Sequence, residues 1–326
     1  MSKILVTGGS GFLGSHCIVA ALAARHEVRT TLRSLDKEGE VRSVLSAAGA
    51  DPKHEITCYA ADLGKDEGWA DAVAGCDYVL HTASPFPSVQ PADPNDVIVP
   101  ARDGALRVLR AASHAGVKRV VLTSSFAAVG YGPEPAGHVY TENDWTPVDG
   151  PNQPYILSKA IAERAAWDFV RDSGTPELSV INPTGIFGPA LGPQLSTSIQ
   201  MIKGLLAGAF PAELPDMWFG VVDVRDVAEL HLLAMTDPFA AGERFIAVGG
   251  EPLSLLWVAT ILLEHLGDRA VSVPTRSAPV SPTANHRRSS SDKARRLLGW
   301  TPRTSEEAIV ASAESLIRLK LLEAVD

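Results

Sequence analysis

Tyr155-Ile-Leu-Ser-Lys159 sets a phenol and an ammonium four residues apart. On a helix, that spacing puts both groups on one face. A free tyrosine, with a pKa of about 10, is a poorly tuned acid and a sluggish base near neutrality. A neighbouring ammonium favours the phenolate and is expected to pull that pKa down. A phenol tuned in this way can hand a proton to a carbonyl oxygen while hydride arrives at the carbon. YxxxK by itself is common by chance, so its weight rests on partners. Thr123-Ser124-Ser125 closes an apolar run about 30 residues earlier. Open α/β sheets keep their ligands beyond the carboxyl ends of strands, and a hydroxyl there can hold the same carbonyl oxygen.

A second cluster works through what its residues lack. Residues 7–14 read TGGSGFLG, between a first apolar run and a first helical pattern. Gly9, Gly11 and Gly14 fit GxGxxG, and Gly8, Gly11 and Gly14 fit GxxGxxG. A tight turn, close approach of backbone to a pyrophosphate, and close packing of helix on strand all need small residues. Phe12 and Leu13 then open a helix whose free N–H groups face the phosphates. In this strand–turn–helix setting the motif points to a dinucleotide.

The end of the second strand selects the dinucleotide. An NAD site usually has Asp or Glu there for the ribose hydroxyls. This chain has Leu32 followed by Arg33, with Lys37 four residues on and Asp36 nearby. A guanidinium can pair with a 2′-phosphate, so the expectation is NADP(H) rather than NAD(H). Asp62, followed by Leu63, lies after the third strand, where its carboxylate can accept from an adenine amino group or cap a helix.

These groups need a scaffold that brings strand ends together. Expected strands at 4–7, 27–32, 55–60, 78–82, 119–123 and 178–181 alternate with helices at 12–24, 37–48, 65–74, 96–115 and 154–172. This rhythm, with strands apolar on both faces, predicts an α/β, Rossmann-type, doubly wound parallel sheet. After Pro183 the rhythm breaks and Gly and Pro become dense. The expectation is a dinucleotide domain over 1–184 and a smaller mixed α/β substrate domain, mainly 185–326. Segments around 220–235 and the apolar run at 245–248 are open to a return to the large sheet, and the Pro-rich stretch at 274–282 reads as a loop.

Composition excludes more than it assigns. The chain has 326 residues, 45% of them hydrophobic, and a net charge of −9. Such a chain has no global field for nucleic acid or anionic lipid. Arg33, Lys37 and Lys159 would form only a local positive track for one dinucleotide. Cys17, Cys58 and Cys76 show no CxxC spacing and read as free thiols. No HxxxH or HExxH pair suggests a metal. The N-terminus enters a strand at once, without a signal-peptide pattern, and the apolar stretch at 253–263 is short against the roughly 20 residues a membrane span needs. A cytoplasmic protein is expected.

Five motifs now occur in a familiar order: TGGSGFLG, HTASP at 81–85, LTSS at 122–125, YILSK at 155–159 and NPTGIFGP at 182–189. Together they resemble the extended short-chain dehydrogenase/reductase family. HTASPF and LRSLDK look like its dihydroflavonol reductase, cinnamoyl-CoA reductase and ketone/aldehyde reductase group. The closing SSSDKARRLLGWTPR is similar too. The resemblance implies that Tyr155 is the general acid in reduction, with Lys159 on the nicotinamide ribose and Ser125 as the catalytic serine. Ser124 would lie near the nicotinamide. Pro183, with Thr184, Gly185 and Ile186 after it, would meet the carboxamide, and Thr82, Ala83 and Ser84 the middle of the cofactor. The family's helix asparagine, which supports a proton relay, has no equivalent in Val99-Pro100-Ala101-Arg102-Asp103-Gly104, so proton supply to Lys159 is expected to take another route.

Phe86, Phe126, Phe187, Met217, Trp218 and Phe219 are expected around an apolar or aromatic carbonyl substrate. The reading is an NADPH-dependent carbonyl reductase, monomeric or homodimeric. One alternative is a nucleotide-sugar epimerase with tightly bound NAD, which Arg33 weakens. Another is a non-catalytic dinucleotide sensor, which would need none of Ser125, Tyr155 and Lys159. Sugar dehydratases carry an acidic pair where this chain has Ser124-Ser125.

Overall fold

The computed structural model describes residues 1–50, 56–85, 93–135, 137–279 and 286–322. Six strands follow the expected rhythm: β1 (Lys3–Thr7), β2 (Glu27–Leu32), β3 (Ile56–Ala60), β4 (Tyr78–His81), β5 (Arg119–Thr123) and β6 (Glu177–Pro183). Between them lie α1 (Phe12–Ala23), α2 (Glu38–Ala47), α3 (Trp69–Val73), α4 (Asn95–His114) and α5 (Pro154–Ser173). Beyond β6 come β7 (Gly185–Phe187), α6 (Thr197–Leu206), β8 (Glu213–Leu214), β9 (Trp218–Phe219), β10 (Val221–Asp223), α7 (Val224–Thr236) and β11 (Arg244–Ala247). The described chain closes with β12 (Leu253–Ser254), α8 (Leu255–Leu266), β13 (Arg276–Ser277), α9 (Asp292–Leu298) and α10 (Ser305–Arg318).

The main sheet has seven strands in the order β11-β6-β5-β4-β1-β2-β3, and every pairing is parallel. The strand order reverses between β1 and β4, which opens a crevice at their carboxyl ends. Alternate residues feed opposite faces. Ile4 and Val6 join a core with α1, α2, α7 and α9, while Leu5, Val79 and Val120 join one with α3, α4 and α5. Both faces of the sheet centre are covered, so β1, β4 and β5 are apolar on both sides through their middle, while β2 near the edge turns Glu27, Arg29 and Thr31 to one face. Each fully buried aliphatic side chain in these layers contributes about 1.5–3 kcal/mol.

The run after residue 244 returns to the large sheet, as β11 beside β6. α7 packs on α1 as well as on the β5 and β6 strands. Three small pairs, β7 with β10, β8 with β13 and β9 with β12, accompany a separate core built on α6, α8 and α10. One expected helix is shorter than the pattern implied. Gly68 takes a φ of +84°, where a Cβ would lie 1.9 Å from the Ala60 carbonyl oxygen, so α3 begins only at Trp69. No described helix is long and apolar enough to cross a membrane.

Candidate active site

The crevice is laced shut at its base by side chains. Thr82 Oγ1 donates to the Thr7 carbonyl at 2.6 Å, and the Ala83 N–H donates to Thr7 Oγ1 at 3.1 Å. The ends of β1 and β4 are thereby held together, with Thr82, Ala83 and Ser84 leading away from the glycine turn. Gly8 has a φ of +70°, and a Cβ on it would stand 3.0 Å from the Ala83 Cβ. A Cβ on Gly14 would meet the Gly8 carbonyl oxygen at 2.3 Å. No side chain caps the start of α1 at Gly11, and its first turn holds no acidic residue. Uncapped N–H groups, bare backbone and a partial positive charge suit a pyrophosphate. These residues fit a dinucleotide: the glycines pack the turn too closely for a Cβ, and the bare, uncapped helix start is left to face a pyrophosphate.

At the end of β2, Arg33 and Lys37 are both exposed. Asp36 is engaged locally: it accepts from Ser34 Oγ at 2.8 Å, while Ser34 caps the turn at Asp36 N. Asp62 also serves a turn, accepting from the Gly64 N–H at 2.7 Å rather than capping a helix. Leu63 lies against Gly104 of α4, where a Cβ would be 3.0 Å from the Leu63 Cβ.

Around α5 the two serines part company. Ser125 hydrogen-bonds the Tyr155 phenol and also accepts from the Ala127 N–H at 3.1 Å. Ser124 instead donates to Glu163 Oε2 at 2.5 Å and is buried. The Lys159 Nζ lies 5.7 Å from the Tyr155 ring centroid and donates to Ser84 Oγ at 2.8 Å. Burial brings the Lys159 ammonium down to about 8, against the opposing pull of the Glu163 carboxylate. The tyrosine departs from expectation. Burial holds its phenol above the usual value and outweighs the Ser125 hydrogen bond. The expected lowering by the ammonium is not what dominates, because a buried phenolate loses its hydration.

Behind Lys159 is a cavity of about 20 Å³, bordered by His81, Ser84, Thr123, Ser124 and Glu163. It is large enough for one water molecule. His81 is neutral there, its pKa brought down to about 3 by burial and then by Lys159. His231 backs Thr123: its Nδ1 faces the Val227 carbonyl at 2.7 Å and its Nε2 the Thr123 hydroxyl at 2.6 Å. Nδ1 therefore carries the proton, and Nε2 accepts from threonine.

The proposed carboxamide contacts sit at the join of two strands. Pro183 is buried at the end of β6, and the Thr184 N–H donates to the Ala247 carbonyl at 3.0 Å. Gly185 and Ile186 run on in β7 beside β10.

Two expected pocket residues are core instead. Phe126 lies edge-on to Tyr140 at 5.7 Å, and Gly130 has no Cβ because one would strike the Phe126 ring at 2.1 Å. Phe187 is 1% exposed and stacks on Phe219 at 5.9 Å, so Phe219 supports the core too. Met217 is exposed, and Trp218 stacks on His286 at 4.0 Å. Phe86 lies outside the described residues.

Four residues that sequence reasoning passed over belong to this centre: Tyr131, Glu163, Asn182 and Arg244. Tyr131 acts electrostatically on the Tyr155 phenol, adding to its raised pKa. Glu163 was detectable, since it continues the i, i+4 stripe of Tyr155 and Lys159, and Asn182 lies inside the quoted NPTG motif. Arg244 had no local signal, because it reaches Glu163 only once β11 pairs with β6. Asp223 and Asp226 are structural. The first caps α7 through the Arg225 N–H at 2.8 Å, and the second accepts from the Arg303 N–H at 2.7 Å. Among the described residues, no cluster of His, Cys, Asp or Glu is arranged to hold a metal ion.

Comparison with known proteins places the chain in a family. Residues 4–249 match the model of the NAD dependent epimerase/dehydratase family. A cinnamoyl-CoA reductase of Medicago truncatula is 33% identical over 96% of this chain and 95% of its own length. A ketoreductase of Aspergillus niger is 32% identical over 97% of both. Among solved structures, yeast methylglyoxal/isovaleraldehyde reductase complexed with NADPH superposes with a TM-score of 0.84 at 27% identity, covering 98% of this chain and 100% of that one. The chain is a member of the NAD dependent epimerase/dehydratase family, the extended short-chain dehydrogenase/reductases.

Proposed function

We propose that this protein is an NADPH-dependent carbonyl reductase that converts a ketone or aldehyde to an alcohol, with Tyr155 as the proton donor. The observation that carries the reading is the Ser125–Tyr155 hydrogen bond beside the buried Lys159, at the carboxyl ends of the sheet. NADPH, when bound, supplies the hydride from nicotinamide C4. Gly8, Gly11, Phe12, Leu13 and Gly14 would hold its pyrophosphate, Arg33 and Lys37 its 2′-phosphate, and Asp62 and Leu63 its adenine. Thr82, Ala83, Ser84, Lys159 and the chain at 183–186 would hold the rest.

The residues then divide the chemistry. Ser125 aligns the carbonyl oxygen against the phenol. Tyr155, held protonated by burial, gives that oxygen its proton as charge builds on it. Lys159 sits close enough to stabilise the phenolate left behind. Ser124 takes no part at the carbonyl, because its hydroxyl is committed to Glu163. Reductases among the relatives support the reading, and Met217 and Trp218 suit an apolar or aromatic substrate. A cytoplasmic monomer or homodimer fits a reaction that draws on cellular NADPH.

The test is NADPH oxidation with aromatic ketones, β-keto esters, 1,2-dicarbonyls and flavanones. Steady oxidation with at least one class is expected. NAD released from the purified protein on denaturation, together with interconversion of UDP- or GDP-sugars, would contradict the reading in favour of an epimerase. NADPH binding with no oxidation in any class would leave only a sensor.

A further inference from the structure

Glu163 sits one helical turn beyond Lys159, with its side chain fully buried. Four donors converge on its carboxylate. Oε1 accepts from Arg244 Nε at 2.6 Å and Trp167 Nε1 at 3.3 Å. Oε2 accepts from Ser124 Oγ at 2.5 Å and Asn182 Nδ2 at 2.7 Å. A carboxylate offers about four lone-pair sites, so this one is saturated. The four donors fix both oxygens in place.

The groups facing Lys159 come from several elements. Tyr155 and Glu163 face it from its own helix, His81 from the end of β4, Ser84 just beyond, and Ser124 from the end of β5. Arg244 of β11 reaches the far side of Glu163, donates to the Glu142 and Asp144 carbonyls at 3.0 Å each, and lies 3.6 Å over the Trp145 ring. Tyr155 and His81 are neutral, the first with its pKa raised by burial and the second with its pKa lowered by burial. The negative charge in this set is Glu163.

We infer that Glu163 is a positioning residue for the reduction: pinned by four donors, it is the fixed negative charge that keeps the buried Lys159 an ammonium. The inference rests on the proposed role of Lys159 as partner to Tyr155 and the nicotinamide ribose. It also accounts for the buried ion pair. Glu163 and Arg244 tie α5 to β11 at one point, and Asn182 and Ser124 bring in the ends of β6 and β5. The carboxylate therefore cannot turn away from the lysine.

The test follows Lys159 directly, in the free protein. Lysine labelled with ¹³C at Cε is incorporated, the Lys159 resonance is assigned by its loss in Lys159→Met, and its midpoint is read by NMR titration. The wild-type midpoint is expected near 8. In Glu163→Gln it falls by at least about one pH unit, as expected when an opposite charge nearby is removed. In Arg244→Gln, which takes away the cation offsetting Glu163, it rises. The alkaline limb of the reduction rate, measured with whichever carbonyl is turned over, moves in the same directions, whereas a purely structural loss lowers the rate at every pH alike.

A folded Glu163→Gln variant, verified by circular dichroism, with an unmoved midpoint overturns the inference. If that variant does not fold, an unmoved midpoint in Arg244→Gln overturns it, and failure of both to fold assigns the cluster to the fold instead. If the wild type reduces no carbonyl, the proposed function fails, but the titration still decides the role of Glu163.

Discussion

The glycine turn at 7–14 and the charged cluster around Glu163 both lie at the carboxyl ends of the main sheet, yet they are built in opposite ways. The turn works by omission: Gly8 and Gly14 bring backbone within reach of backbone, and a single Cβ at Gly14 would stand 2.3 Å from the Gly8 oxygen. The cluster works by accumulation. Ser124, Lys159, Glu163, Asn182 and Arg244 come from two strands, a helix and the residue just past a third strand, and each polar group is there to answer another. The turn is made of consecutive residues and tolerates no additions. The cluster is dispersed over the chain, and removing either partner of its Glu163–Arg244 ion pair leaves the other charge buried and uncompensated. On the proposed function, binding a dinucleotide would depend on shape, and the proton step on charge balance.

The largest test of this division is Tyr155→Phe. It should cut turnover by about 10²–10⁴-fold while NADPH affinity, measured by fluorescence titration, stays nearly the same. Unchanged turnover would remove Tyr155 from the chemistry. Next comes Arg33→Ala, which should weaken NADPH by about 10–100-fold, the worth of a charged hydrogen bond, and leave NADH almost untouched. Equal losses for the two dinucleotides would mean that Arg33 does not read the 2′-phosphate.

Gly14→Ala probes the turn by adding one methyl group. Overpacking against the Gly8 carbonyl should cost about 1–3 kcal/mol in denaturant unfolding and weaken NADPH binding. A variant that unfolds and binds like wild type would show the contact to be slack. The smallest effect is on the cluster side. The folded-state pKa of Lys159 is lowered to about 8, so the unfolded chain holds more protons between that pH and the free lysine value. Lys159 therefore costs stability below about pH 8, and that cost fades as pH rises through the window. Lys159→Met should raise stability at pH 7 by about 1–2 kcal/mol, and the gain should vanish near pH 10. A gain that persists there would mean that packing, not charge, causes it.

The difference between the two regions also decides what the sequence made visible. The turn is local, so TGGSGFLG sufficed to read it, and the strands and helices around it follow from apolar runs of the right length. Lys159 and Tyr155 share a helix, and their i, i+4 spacing announced them. Glu163 continues that stripe but has no separate signal, since an acidic residue on a helix is usually a solvated one. Arg244 and the parting of Ser124 from Ser125 depend on strand order, which periodicity does not encode. Phe126 and Phe187 show the opposite failure. Aromatic residues after strand ends look like pocket walls until the partners Tyr140 and Phe219 are seen to cover them. The direction of the tyrosine shift is not legible in the spacing, which reveals the neighbouring ammonium but not the depth of burial.

The central claim is that hydride passes to a carbonyl carbon in this site. The measurement that meets it most directly uses NADPH carrying deuterium at nicotinamide C4 and a carbonyl that the wild type turns over. The account predicts an alcohol with one deuterium on the carbinol carbon, formed in step with NADPH oxidation and lost in Tyr155→Phe. Alcohol formed without deuterium from either face of C4, or NADPH left intact while a sugar nucleotide is epimerised, would contradict it.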